Sequence, residues 1–110
     1  MAIQVEGKII ETNAEGFLVD SSCWNDAVAE KLSQAHGVAL SESHWEVISM
    51  VRQHCDKGNE PPSMRELVKQ VRLQLDDSKA KSIYLMKLFG ASPAKMVARL
   101  AGLPKPKNCL

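Results

Sequence analysis

The chain reads as a mainly α domain: a small bundle of about five helices, an N-terminal β-hairpin and an extended C-terminal arm. Three observations predict this. Apolar residues recur at helical spacing in successive segments, most of them opened by Ser and closed by Gly. Short β-rich runs flank Glu6-Gly7 near the start. After Gly102 the chain carries Pro104 and Pro106, which cannot continue a helix.

In chain order, Ile3 to Ile10 forms the hairpin, turning at Glu6-Gly7. Asn13-Ala14-Glu15-Gly16 is a second turn, and Phe17-Leu18-Val19 is placed to extend the small sheet. Ser21/Ser22 offer an N-cap for a helix opening at Trp24 and running to about His36, with Gly37 ending it. Ser41 caps the next helix, whose early turns hold Glu42 and Glu46, as the helix dipole favours. Its inward stripe is Val47, Ile48, Val51 and Cys55, and it stops near Lys57-Gly58. Asn59-Glu60-Pro61-Pro62 is a break. Ser63 then opens a helix to about Leu75, with Met64, Leu67, Val68, Val71 and Leu75 inward. Asp76-Asp77-Ser78 is a joint. Ile83, Tyr84, Met86, Leu88 and Phe89 belong to a further apolar helix closed by Gly90. Ser92-Pro93 reads as an N-cap with proline at the first helical position, and Met96, Val97 and Leu100 face inward.

The totals bound the class. At 110 residues the chain makes one domain, 1–110, able to build a hydrophobic core without staples. An apolar fraction of 45% and a charged fraction of 25% are ordinary for a globular protein. No apolar run reaches membrane-spanning length, and the start shows neither the basic nor the apolar stretch of a secretion signal. The three cysteines, Cys23, Cys55 and Cys109, are odd in number and show no C-x-x-C, which suits a reducing cytoplasm. Cys55 falls on a core stripe. Cys23 is read as structural, and both are expected to be buried.

The net charge of +1 conceals an asymmetry. Residues 1–60 hold four Lys/Arg against ten Asp/Glu, whereas 61–110 hold ten against three. A basic half of this kind can meet nucleic acid or an acidic protein surface. Basic segments separated by prolines also imitate a helix-turn-helix module, the main competing function class. That reading leaves the thiol at the chain end without a purpose. A reductase or protease using Cys109 lacks a matched His/Asp setting. His44, His54 and Cys55 do not show zinc-ligand spacing, so no metal and no cofactor are expected.

The tail is the most informative stretch. Pro104 and Pro106 stiffen it, and Cys109 stands one residue from the carboxyl end beside Lys105 and Lys107. Such a thiol can reach into another protein's active site, and the lysines favour its thiolate. The arm is expected to be exposed and mobile over residues 105–110. Arg65, Lys69, Lys95 and Arg99 are candidates to hold the arm near the body.

The run Gly102-Leu103-Pro104-Lys105-Pro106 with a penultimate Cys109 resembles the DsrC/TusE family of sulfur-carrier proteins. The likeness continues in Val5-Glu6-Gly7-Lys8, Glu15-Gly16-Phe17-Leu18 and His44-Trp45-Glu46. It extends to Arg65 with Leu67-Val68-Lys69, Tyr84-Leu85 with Leu88-Phe89, and Pro93-Ala94-Lys95. The resemblance implies a small helical fold with a mobile arm whose penultimate cysteine carries sulfur as a persulfide. One departure decides the branch. DsrC proteins proper, partners of a sulfite reductase, have a second cysteine eleven residues before the penultimate one, and here that position is Ala98. The arm therefore lacks the thiol that would close a ring with Cys109. The chain resembles the TusE branch, which implies an upstream Tus-type sulfur-transfer complex and a downstream tRNA thiouridylase making 2-thiouridine. Tight direct nucleic-acid binding and membrane association are not expected. A smaller departure is Gly90-Ala91-Ser92, where the family usually has a proline and a glycine.

Overall fold

The computed structural model describes residues 1–107, so Asn108, Cys109 and Leu110 lie outside the described residues. Strands β1 (Ala2–Val5) and β2 (Lys8–Glu11) pair antiparallel with Val5 opposite Lys8. Their two-residue turn needs positive φ at both positions, and Glu6 and Gly7 supply φ of 49° and 80°. The second turn is held by Asn13, whose Oδ1 accepts from the Glu15 and Phe17 amides at 2.9 and 3.1 Å. It returns the chain so that Leu18 bridges Thr12 and the Val19 amide donates to Glu11 at 3.1 Å.

Five helices follow: α1 (Asp26–Ala35), α2 (Glu42–Asp56), α3 (Met64–Gln74), α4 (Ser82–Phe89) and α5 (Pro93–Leu100). Helix α1 begins later than the sequence suggests. Asp20 accepts from both the amide and the hydroxyl of Ser22 and winds Ser21–Cys23 into a separate 3₁₀ turn. Asn25 then caps α1 by accepting from the Val28 amide at 2.9 Å. Trp24 is the extended residue between the two, with ψ of 140°. Ser41 and Ser63 cap α2 and α3 as expected. At α2 the reciprocal partner is His44, the third helical residue, in the place a capping box usually gives to Glu or Gln. Ser92 makes no side-chain capping bond, although Pro93 does open α5.

Helix α5 is the central element, packed against α1, α2, α3 and α4. Pro93, Ala94, Val97, Ala98, Arg99 and Leu100 are all buried, so it is enclosed on nearly every side. Around it lie Phe17, Leu32, Ile48, Leu67, Leu85 and Phe89, each fully buried and each contributing roughly 1.5–3 kcal/mol by transfer from water. Met64, Val68, Leu75 and Met96 are only partly buried and border this core. Ile83 and Met86, which belong to the apolar helix α4 as expected, are 65% and 46% exposed on its outer face. Among the described residues no helix is long and apolar enough to cross a membrane.

Candidate functional site

The arm leaves the body at the end of α5, and that junction is tightly specified. The Leu103 amide donates to Ala98 O at 2.9 Å and the Gly102 amide to Arg99 O at 3.2 Å. This is the paired closure of a Schellman motif, which requires a left-handed residue, and Gly102 supplies φ of 72°. A helix C-terminus leaves its last four carbonyls without partners inside the helix. Two of them are met by side chains from elsewhere. Trp24 Nε1 donates to Leu100 O at 2.8 Å, and Arg52 of α2 donates through Nη1 to Ala101 O. The Arg52 guanidinium lies 3.9 Å from the centroid of the Trp24 ring, so the two clamps brace each other. A Cβ on Gly102 would stand 2.4 Å from Trp24 Cδ1, so the indole sits directly on the base of the arm.

Beyond this junction residues 103–107 form neither helix nor strand, as Pro104 and Pro106 predict, but the segment is not free of the body. Leu103 and Pro106 are buried, while Pro104, Lys105 and Lys107 are exposed. Lys105 Nζ lies 3.3 Å from Glu15 and Lys107 Nζ 2.7 Å from Glu60. Of the arm expected to be exposed over residues 105–110, the described part keeps Lys105 and Lys107 exposed, while Pro106 is buried; residues 103–107 are nonetheless seated on the body. Two apolar anchors and two lysine–carboxylate pairs seat that segment. The lysines expected to favour the Cys109 thiolate are engaged by carboxylates. Glu60 pushes the Lys107 pKa up, and Lys95, then Lys105, hold Glu15 below the usual carboxylate range. Cys109 itself lies outside the described residues.

Lys95, Arg99 and Lys105 converge, and Glu15 is the point on which they meet. Lys95 Nζ is 3.0 Å from the Glu15 carboxylate, and Arg99 Nε donates to the Glu15 carbonyl at 2.7 Å. Arg99 also lies 4.9 Å from the Phe17 ring centroid. Arg65 and Lys69 take no part in this cluster; they are exposed on α3. Lys69 shares a separate surface cavity with Lys107 and Glu60. The residues that sequence reasoning missed are Trp24, Arg52, Glu15 and Glu60. Trp24 was read only as the opening of a helix, and the two glutamates act on the arm from far up the chain.

The other two cysteines separate. Cys23 is exposed at the end of its 3₁₀ turn, which corrects the expectation of burial. Cys55 is half-buried in a cavity of about 360 Å³ that Glu60, Leu103, Pro104 and Lys107 also line, beneath the arm. Burial first, and Asp56 second, push its thiol pKa up, so it stays protonated and weakly nucleophilic. His44 serves the fold. Its Nδ1 accepts from the Ser41 amide at 3.0 Å and Nε2 pairs with Leu88 O at 2.7 Å.

Residues 4–110 match the profile of the family described as "DsrC like protein". The chain belongs to that family. DsrC-like relatives span it end to end. "Sulfurtransferase TusE" of Pectobacterium atrosepticum is 43% identical over 108 residues, covering 98% of this chain and 99% of the relative. "Sulfurtransferase TusE" of Escherichia coli strain K12 is 42% identical over 105 residues, 96% of each chain. The solution structure of Allochromatium vinosum DsrC superposes with a TM-score of 0.90 at 37% identity over the whole of both chains. The oxidised γ-subunit of dissimilatory sulfite reductase (DsrC) from Archaeoglobus fulgidus gives 0.87 at 34% identity, also over the whole of both chains. Within this DsrC-like fold the branch-deciding position, Ala98, is 1% exposed beneath the arm junction, and its carbonyl is taken by Leu103.

The DsrC-like body also carries a pH response. His36 is half-buried, and burial, then the neighbouring Arg99 charge, lowers its pKa. The folded state therefore resists protonation there more than the unfolded chain does. That stability is present in full above the ordinary histidine value of about 6.5, and it declines as pH falls from there toward the folded value. Urea midpoints measured on either side of about pH 6.5 should drop on acidification, and His36→Gln should flatten the drop. An unchanged slope in His36→Gln would assign the response to another group.

Proposed function

We propose that the protein is a sulfur carrier working through Cys109, in a relay that ends in 2-thiouridine of tRNA. The observation that carries the reading is a penultimate cysteine on a proline-stiffened arm whose base is clamped by Trp24 and Arg52. Full-length relatives named sulfurtransferases, at 41–43% identity, support it. In the proposed step the Cys109 thiolate attacks the terminal sulfur of a donor persulfide. The donor S–S bond breaks, the donor leaves as a thiolate, and Cys109 holds the new persulfide. Handing on repeats the exchange with an acceptor thiol, so the cycle needs neither oxidant nor cofactor. The donor is a Tus-type complex, the acceptor a tRNA thiouridylase, and the compartment the cytoplasm.

Reaching a partner requires the seated segment to lift. Each exposed ion pair, Lys105–Glu15 and Lys107–Glu60, resists by about 0–1 kcal/mol. Re-exposing the two anchors costs at most about 1.5–3 kcal/mol for Leu103 and a smaller amount for the ring of Pro106. Both lie within what a docking interface supplies.

Intact-mass analysis after incubation with a cysteine desulfurase and the relay proteins tests the reading. The expected result is a gain of one sulfur atom, abolished in Cys109→Ser and retained in Cys55→Ser. Because Cys23 is exposed, the assay belongs in a Cys23→Ser background, where adventitious sulfur on that thiol cannot enter the count. Sulfur persisting on the Cys109→Ser variant in that background overturns the carrier reading. A DsrC-type role beside a sulfite reductase is the second reading; the alanine at position 98 weighs against it.

A further inference from the structure

A cavity of about 640 Å³ lies between the α1–α2 connection and the α4–α5 junction. Its walls carry Lys87, Lys95, Arg99 and His36, and among the described residues no carboxylate lines it. We propose that this cavity is a binding site for a phosphate-type oxyanion, free or carried on an organic body.

Charge is the first argument. Arg99 is 9% exposed, yet no carboxylate reaches ion-pair distance of it among the described residues, where its partners are the Glu15 carbonyl and the Met96 sulfur. A guanidinium has five N–H donors, and these two contacts leave most of them unspent. Among the described residues no buried side-chain donor lacks a partner, so the unspent guanidinium donors stay accessible from the cavity that Arg99 lines, where an oxyanion can accept from them. The nearby acid, Glu15, does not cancel the field, since its one charge already faces both Lys95 and Lys105. Lys87 makes no ion pair among the described residues and adds a further positive charge at the rim.

Backbone geometry is the second argument. Lys95 is the third residue of α5 and lines the cavity. Its amide is among the donors a helix start leaves unpaired, and Ser92 does not cap them. The third is composition. Met86, Leu88 and Met96 line the remaining wall, leaving an adaptable apolar surface beside the cationic one. A bare ion would leave this surface unused, whereas a phosphate monoester covers it.

The inference does not rest on the carrier reading, because Cys109 takes no part in it. Protein-detected NMR on the full chain, in the Cys109→Ser form, is the test. Inorganic phosphate and uridine 5′-monophosphate are titrated separately against sodium chloride at matched ionic strength. Saturable shifts are expected at the Lys95 and Met96 amides and the His36 ring, and the His36 titration midpoint should rise when the anion is bound. The two probes separate the sources: tighter binding of the monoester marks an oxyanion carried on an organic body, and equal binding marks the free ion. Lys87→Gln, an exposed position that leaves the fold untouched, should weaken binding several-fold, and Lys95→Gln about tenfold. Shifts that chloride reproduces, that do not saturate, or that persist unchanged in both variants overturn the proposal.

Discussion

Gly102→Val should lower the unfolding free energy by roughly 2–5 kcal/mol, among the largest losses any single substitution outside the core can cause here. Two penalties combine. A left-handed backbone, here φ of 72°, costs a side-chain-bearing residue roughly 1–2 kcal/mol. Overpacking adds about 1–3 kcal/mol, because the new Cβ would meet Trp24 Cδ1 at 2.4 Å and the indole is pinned by its bond to Leu100 O. Gly58 provides the control. It ends α2 with φ of 93° and nothing within 4 Å of its virtual Cβ, so Gly58→Val carries the strain without the collision. Urea unfolding of both variants separates the terms. If Gly102→Val is no worse than Gly58→Val, then Trp24 does not press on the base of the arm, and the clamp described above is wrong.

Much of the fold was legible because local chemistry and tertiary structure agree. Glu6-Gly7 gives the hairpin turn, Ser41 and Ser63 the helix starts, and Gly102 the end of α5. The start of α1 was misread because Ser21 and Ser22 are good caps in isolation. Asp20 reaches Ser22 first and spends it on a 3₁₀ turn, leaving Asn25 to cap the helix. The helical period alone could not sort α4, where apolar residues surround the axis and only packing decides that Leu85 and Phe89 go in while Ile83 stays out. Cys23, read as a structural residue beside a helix start, instead ends the 3₁₀ turn and stays exposed.

The candidate site was half legible for a related reason. Pro104, Pro106 and the penultimate Cys109 announce an arm by local chemistry. What seats the arm is long-range: Glu15 answers Lys105 across 90 residues, and Trp24 answers Leu100 across 76. No periodicity or spacing carries such a pairing. Of Arg65, Lys69, Lys95 and Arg99, which the sequence reading grouped together, only Lys95 and Arg99 come together, and the Glu15 on which they meet sits in a turn far from them in the chain.

Trp24→Ala should cost up to about 3–5 kcal/mol, the range for removing a large aromatic side chain, and should reach the lower part of it because the indole is only half-buried. More informative is how the loss divides. Trp24→Phe keeps a ring under Arg52 but abandons Leu100 O, a loss of about 0.5–1.5 kcal/mol. Arg52→Met abandons Ala101 O and its charge-assisted bond, about 1.5–3 kcal/mol, together with a stacking contribution of about 0.5–1 kcal/mol. Because the two side chains brace each other, Trp24→Ala with Arg52→Met should cost less than the sum of the separate losses by at least about 0.5 kcal/mol. The consequence for the arm is read at the Leu103 amide, whose bond to Ala98 O closes the helix end. Its hydrogen-exchange protection should fall in every one of these variants by more than that of the Val71 amide in the middle of α3. If protection at Leu103 falls only in step with Val71, the variants act by loosening the whole domain. Trp24 and Arg52 would then be ordinary packing residues, and the direction in which the arm leaves the body would have to be set by Gly102 and the two prolines alone.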